Sequence, residues 1–113
     1  MSVKLKKING EALGFELTDL EERMLKEIYL KAFKKLREKS WIFKTERVSI
    51  SSLKKHELCD YSEYKISKAL KRLSELNLVE VVYTKSIDLP YIKYRNAKID
   101  LNRFWEEYQW EYC

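Results

Sequence analysis

Residues 62–82, SEYKISKALKRLSELNLVEVV, constrain the fold more than any other stretch of the chain. Ile66, Ala69, Leu70, Leu73 and Leu76 recur at the spacing of one helical face. Ser62 stands where an N-cap side chain accepts from the first unpaired amides. The periodicity then changes at a single residue. Asn77 occupies the position at which a left-handed C′ residue ends a helix. "LVEVVYT" alternates as a strand directly after it. The helix passes straight into the strand and leaves a face of tyrosine, serine and lysine without an apolar partner.

The flanking sequence supplies further elements. Thr18 and Glu21 form a capping box, and Leu20, Met24, Leu25, Ile28, Ala32, Phe33 and Leu36 follow at helical spacing. They predict a helix over 19–39, with Lys34, Lys35, Arg37 and Lys39 favourably placed at its negative end. "WIFK" at 41–44 is expected to seal the core. Val48 and Ile50 alternate with polar residues as a short strand. "SSLKKHELCD" reads as a short helix capped by Ser51 or Ser52, burying Leu53 and Leu58 and leaving His56 a plain structural role. Past the strand, "KSIDLP" is a loop ending at Pro90, and "YIKYRNAKI" returns antiparallel to close a β-hairpin. "DLNRFWEEYQWEY" predicts a final helix capped by Asp100 or Asn102. Residues 1–17 read as a basic lead-in whose Lys4, Lys6 and Lys7 form either a basic arm or a solubilising end.

A chain of 113 residues fits one domain with one core. Its charged fraction of 36% exceeds the average of about 25%. With two glycines, one proline and one glutamine, that excess points to a thermophilic source. Asp100, Glu106, Glu107 and Glu111 against Arg103 give the last fourteen residues a net charge of −3, which leaves +8 of the total +5 on residues 1–99. A basic body implies a polyanionic partner, most often nucleic acid, although solubility alone also accounts for lysine usage of this kind.

Several function classes are not expected. No apolar run reaches the ~18–20 residues of a membrane span, and the N-terminus lacks the apolar core of a secretion signal. A cytoplasmic protein is therefore expected. Cys59, Cys113 and the lone His56 make neither a disulfide framework nor a zinc-ligand pattern, so no metal and no cofactor are expected. No glycine-rich phosphate loop or nucleophile–histidine pattern is present. Glu106 and Glu107, being adjacent, point about 100° apart on a helix. Catalysis is not expected.

The predicted order (helix, short strand, helix, helix, hairpin, helix) resembles the winged helix–turn–helix superfamily, in the manner of MarR- and ArsR-like regulators, over residues 18–99. The most specific part is the third helix. Such proteins often carry a capping serine, an apolar residue four on and leucines eight and eleven on, matched here by Ser62, Ile66, Leu70 and Leu73. A glycine-leucine-valine commonly enters the wing; here it is Asn77-Leu78-Val79, and asparagine also tolerates the left-handed region. The segment 53–62 is longer than the tight bacterial pattern. In size and composition the chain resembles short regulators of archaea and of their viruses or plasmids.

The resemblance implies an α+β winged helix–turn–helix fold with an additional C-terminal helix, and a sequence-specific double-stranded DNA-binding protein that regulates transcription. Tyr64, Lys68 and Lys71 lie opposite the apolar face of the third helix, flanked by Lys65, Ser67 and Arg72. Tyr64, Lys65, Ser67 and Lys68, near the helix start, are the expected groove contacts, with Lys71 and Arg72 reaching the backbone. Lys85 and Ser86 at the hairpin tip, with Lys93 and Arg95 on the return strand, are the expected wing contacts. A solvated lysine face, or lysines that merely guard a sheet edge, is the plainer alternative. Phe104, Trp105, Tyr108 and Tyr112 either form a homodimer interface or pack on the chain's own first helix. Two other functions stay open: a winged-helix module for docking proteins, and a replication-initiator or partition module on the same fold.

Overall fold

The computed structural model describes residues 3–38, 45–89 and 91–112. In chain order these form β1 (Val3–Lys7), α1 (Asp19–Glu38), β2 (Thr45–Ser49), α2 (Ile50–Lys55), α3 (Glu63–Glu75), β3 (Glu80–Lys85), β4 (Lys93–Asp100), α4 (Leu101–Glu107) and β5 (Tyr108–Tyr112). The class is α+β, with two antiparallel sheets among the described residues, β2-β4-β3 and β1-β5. Pro90, the 41–44 segment expected to seal the core, and Cys113 lie outside the described residues, as does Lys39 at the predicted end of the first helix.

The capping box starts α1 as predicted. The Glu21 N–H donates to Thr18 Oγ1 at 3.2 Å, and the Thr18 N–H donates to Glu21 Oε1 at 2.9 Å. Met24, Leu25, Ile28, Ala32 and Leu36 then form the buried stripe of α1. In the three-stranded sheet, Ala97 lies between Val48 and Val81, which puts those side chains and Ile99 on one face. That face carries the buried residues, and the helices pack on it. The opposite face carries Arg47, Asn96 and Lys98.

α3 spans 13 residues, a length at which an isolated helix is marginal. Ile66, Ala69, Leu70 and Leu73 are all buried, and it is this packing that holds the helix. Truncating one such leucine costs about 2–5 kcal/mol. The helix ends in a Schellman motif. The Leu78 N–H donates to the Leu73 carbonyl (3.1 Å) and the Asn77 N–H to the Ser74 carbonyl (3.0 Å). Asn77 has φ 59°, and Leu73 and Leu78 are both buried, giving the motif its apolar contact.

A second brace joins the turn after α2 to α1. Lys31 Nζ lies 2.7 Å from Glu57 Oε1, and Arg23 Nη2 donates to the Glu57 carbonyl oxygen at 2.7 Å. The Lys31 hydrogen bond holds the Glu57 carboxyl below its usual range. This contribution is therefore present above the ordinary glutamate titration and is lost as the pH falls through the lowered value.

Three sequence expectations require correction. α2 begins at Ile50 and is capped by Ser49, whose Oγ accepts from the Ser52 N–H; Ser51 and Ser52 lie inside it, and Ile50 is not in the strand. The strand ends one residue earlier because the helix takes Ile50 into the core. The C-terminal segment is not one helix: α4 stops at Glu107 and Tyr108 becomes extended. Tyr108, Trp110 and Tyr112 alternate with polar residues, and β1 offers an edge that satisfies their backbone. Residues 1–17 are accordingly not a simple arm. Lys4, Lys6 and Lys7 sit in β1, Leu5 is buried opposite Trp110, and Lys6 pairs with Glu111.

The left-handed residue gives a direct check of this junction. Asn77→Val is expected to lower unfolding free energy by about 1–2 kcal/mol, and Asn77→Gly to leave it unchanged or slightly higher. Urea denaturation of the two variants beside the parent measures both.

Candidate nucleic-acid interface

α3 divides its surface by what each flank meets. Outward, Tyr64 is 74% exposed, and Lys68 and Lys71 are exposed beside it. Toward the start of α1, Arg72 donates through Nη2 to the Glu16 carbonyl at 2.8 Å, and its Nε lies 3.4 Å from Glu21 Oε1. Toward the hairpin, Glu63 and Ser67 face β4. There Arg95 Nη1 donates to Ser67 Oγ at 2.8 Å, and Arg95 Nη2 pairs with the Glu63 carboxylate. Arg95 points to α3 because it shares a face with Ala97 and Ile99, the buried side of β4.

The hairpin continues the same surface. Lys85 and Lys93 are register partners, so like charges stand directly opposite each other at its end, an arrangement that destabilises a sheet by itself. Tyr83, opposite Arg95, is 61% exposed on the same face. The Ser86 hydroxyl is engaged in the turn, where it accepts from the Leu89 N–H at 3.2 Å.

The predicted contact residues thus fall into two groups. Lys65, Lys68, Lys71, Lys85 and Lys93 are exposed and have no acidic partner among the described residues. Tyr64 stands with them. Ser67, Arg72, Ser86 and Arg95 already hold internal partners and brace the site. The aromatic residues of the tail face inward. Phe104 is 4% exposed with its ring 5.0 Å from Tyr29 and 5.5 Å from Tyr108. Trp105 Nε1 donates to the Tyr29 hydroxyl at 2.7 Å, and its ring lies 6.0 Å from Phe33. The face offered as a dimer interface is therefore covered by the chain's own α1 at these residues. The Tyr112 backbone pairs with Val3, and its side chain lies outside the described residues.

No family model, curated protein or solved structure matches the chain. Among the described residues no cluster of three metal-ligating side chains occurs, and no helix is long and apolar enough to cross a membrane. Two features escaped the sequence reading. The Glu63–Arg95 pair joins residues far apart in sequence and needs the strand register to be seen. The exposed apolar loop residues Ile87, Leu89 and Tyr91 carried a signal in the sequence, since "SIDLPYI" places apolar side chains where a turn is ordinarily polar.

Arg95 acts here as a strut between hairpin and helix. Arg95→Ala is expected to cost about 1 kcal/mol of stability and to speed amide hydrogen exchange across β3 and β4. Lys93→Ala, at an unpaired position on the same strand face, is expected to do neither. Urea denaturation and exchange measured on both variants separate the two roles.

Proposed function

We propose that the chain is a winged helix–turn–helix protein that binds double-stranded DNA and regulates transcription, with α3 in the major groove and the β3–β4 hairpin as the wing. The order α1, β2, α2, α3, β3, β4 supports this reading, as does a sheet in which the short strand β2 pairs with the returning strand β4. The observation that carries it is the sorting of charge. Lys31, Arg72, Lys98 and Arg103 are spent on acids of the chain itself, while five lysines on the outward side of α3 and on the hairpin are not. Unpaired cations held on one rigid surface suit a partner with regularly spaced negative charge.

In this reading Tyr64 and Lys68 reach base edges, Lys65 and Lys71 contact the groove rim, and Lys85 and Lys93 engage phosphates. The repulsion between the last two is relieved when an anion lies between or beside them. Arg95, Ser67 and Glu63 set the angle of the wing against the reading helix, and Arg72 sets that helix against α1.

Binding of the protein to labelled duplex DNA over a salt series tests the proposal. Five lysine–phosphate contacts would give a log–log salt slope of about −4.5. Lys68→Ala is expected to weaken binding and to flatten the slope by about 0.9. Lys98→Ala, on the opposite sheet face beside Glu80, is expected to change neither. Failure to bind any duplex at low salt, or equal effects of the two substitutions, would sink the reading.

A further inference from the structure

The hairpin tip exposes more apolar surface than a tight turn requires. Ile87 is 97% exposed, Tyr91 78% and Leu89 42%. Single exposed apolar side chains are ordinary, but these share one short loop. The backbone that carries them is held in place. The Ser86 N–H donates to the Ile92 carbonyl at 3.0 Å and the Ile92 N–H to the Leu89 carbonyl at 2.8 Å. The Leu89 N–H donates to Ser86 Oγ at 3.2 Å. The turn thus presents these side chains outward rather than folding them onto the sheet. Covering a fully exposed isoleucine stabilises by about 1.5–3 kcal/mol, a gain the isolated chain does not realise.

The flanks of the tip specify what could cover it. Lys85 and Lys93 stand on either side of the loop, and Asp88 is the single acid between them in sequence. Behind them, through Arg95, lies the unpaired lysine face of α3. A partner suited to this surface meets ammonium groups first and apolar side chains at the point between them. Duplex DNA has that layout, with phosphates along the rims of the minor groove and stacked bases at its floor.

Resting on the DNA-binding reading above, we infer that the tip is a wedge that bends its DNA. Ile87, backed by Leu89 and Tyr91, enters the minor groove between phosphate contacts made by Lys85 and Lys93 and partly unstacks one base step. Aliphatic side chains inserted in this way kink a duplex by about 20–90°. A groove about 6 Å wide admits the tip side chain but not both strands of the hairpin, which lie about 4.8 Å apart before their side chains are added. Insertion therefore stops at the loop. The deformation is least costly at pyrimidine–purine steps, so such a step at the contact is preferred.

The test is energy transfer between dyes at the two ends of a duplex of about 30 base pairs, saturated with the full chain. The wild-type protein is expected to raise the transfer efficiency. Ile87→Ser, and Ile87→Ser combined with Tyr91→Ser, are expected to return it to the free-duplex value while affinity falls by no more than about tenfold. Both positions are largely solvent-exposed, and an unchanged circular dichroism spectrum and thermal midpoint verify the fold of each variant. Saturated binding without a bend, or a bend that survives both variants, overturns the wedge and leaves DNA binding standing. Failure of the wild type to bind any duplex at low salt overturns both. Self-association that depends on Ile87, seen by sedimentation, assigns the tip to a second copy of the chain and overturns the wedge.

Discussion

The left-handed turn at Asn77 is the constraint on which the arrangement of the molecule depends. It ends α3 and sends the chain into β3 with no intervening linker, while Leu73 and Leu78 close the joint from the core side. A helix stopped one residue later would rotate its outward face by about 100°, and Lys68 and Lys71 would no longer lie beside the hairpin. The same joint is held from outside by Arg103, whose Nη1 donates to the Asn77 carbonyl at 3.2 Å, so α4 is tied to it as well. Local backbone geometry at one residue thereby determines which charged side chains share a surface.

Electrostatics does the remaining sorting. Arg72 reaches back to Glu21, a carboxylate only 5% exposed that also accepts the first capping bond of α1. Arg95 bridges from the sheet to the first turn of α3. Both guanidiniums use several donors at once, which suits arginine to bracing, whereas the unpaired positions are occupied by lysine, a compact and mobile charge. Exposed ion pairs of this kind contribute little stability individually. Their larger effect is on orientation: they hold the hairpin and helix so that the unpaired lysines present one surface.

Elements governed by local rules were legible in the sequence. The capping box at Thr18, the N-cap at Ser62, the buried stripe of α3, the turn at Asn77 and the antiparallel hairpin each follow from residues within a few positions of one another. What stayed hidden depends on distant partners. β5 forms because β1, about a hundred residues earlier, supplies an edge; the helical spacing of Leu101, Phe104, Trp105 and Tyr108 masked the alternation of Tyr108, Trp110 and Tyr112 that starts where the helix stops. In the candidate site, Tyr64, Lys65, Lys68 and Lys71 were placed by helical periodicity alone. The bracing roles of Arg72 and Arg95 could not be, because Glu21 and Glu63 meet them only once the chain has folded.

Backbone amide chemical shifts of isotope-labelled protein, titrated with short duplex DNA at low salt, test the central claim most directly. The account predicts that shifts concentrate in residues 64–71 of α3 and in the hairpin around Lys85 and Lys93, while β1, β5 and α4 remain unchanged. Shifts centred on the β1–β5 sheet or on α4, or none at all, would contradict it.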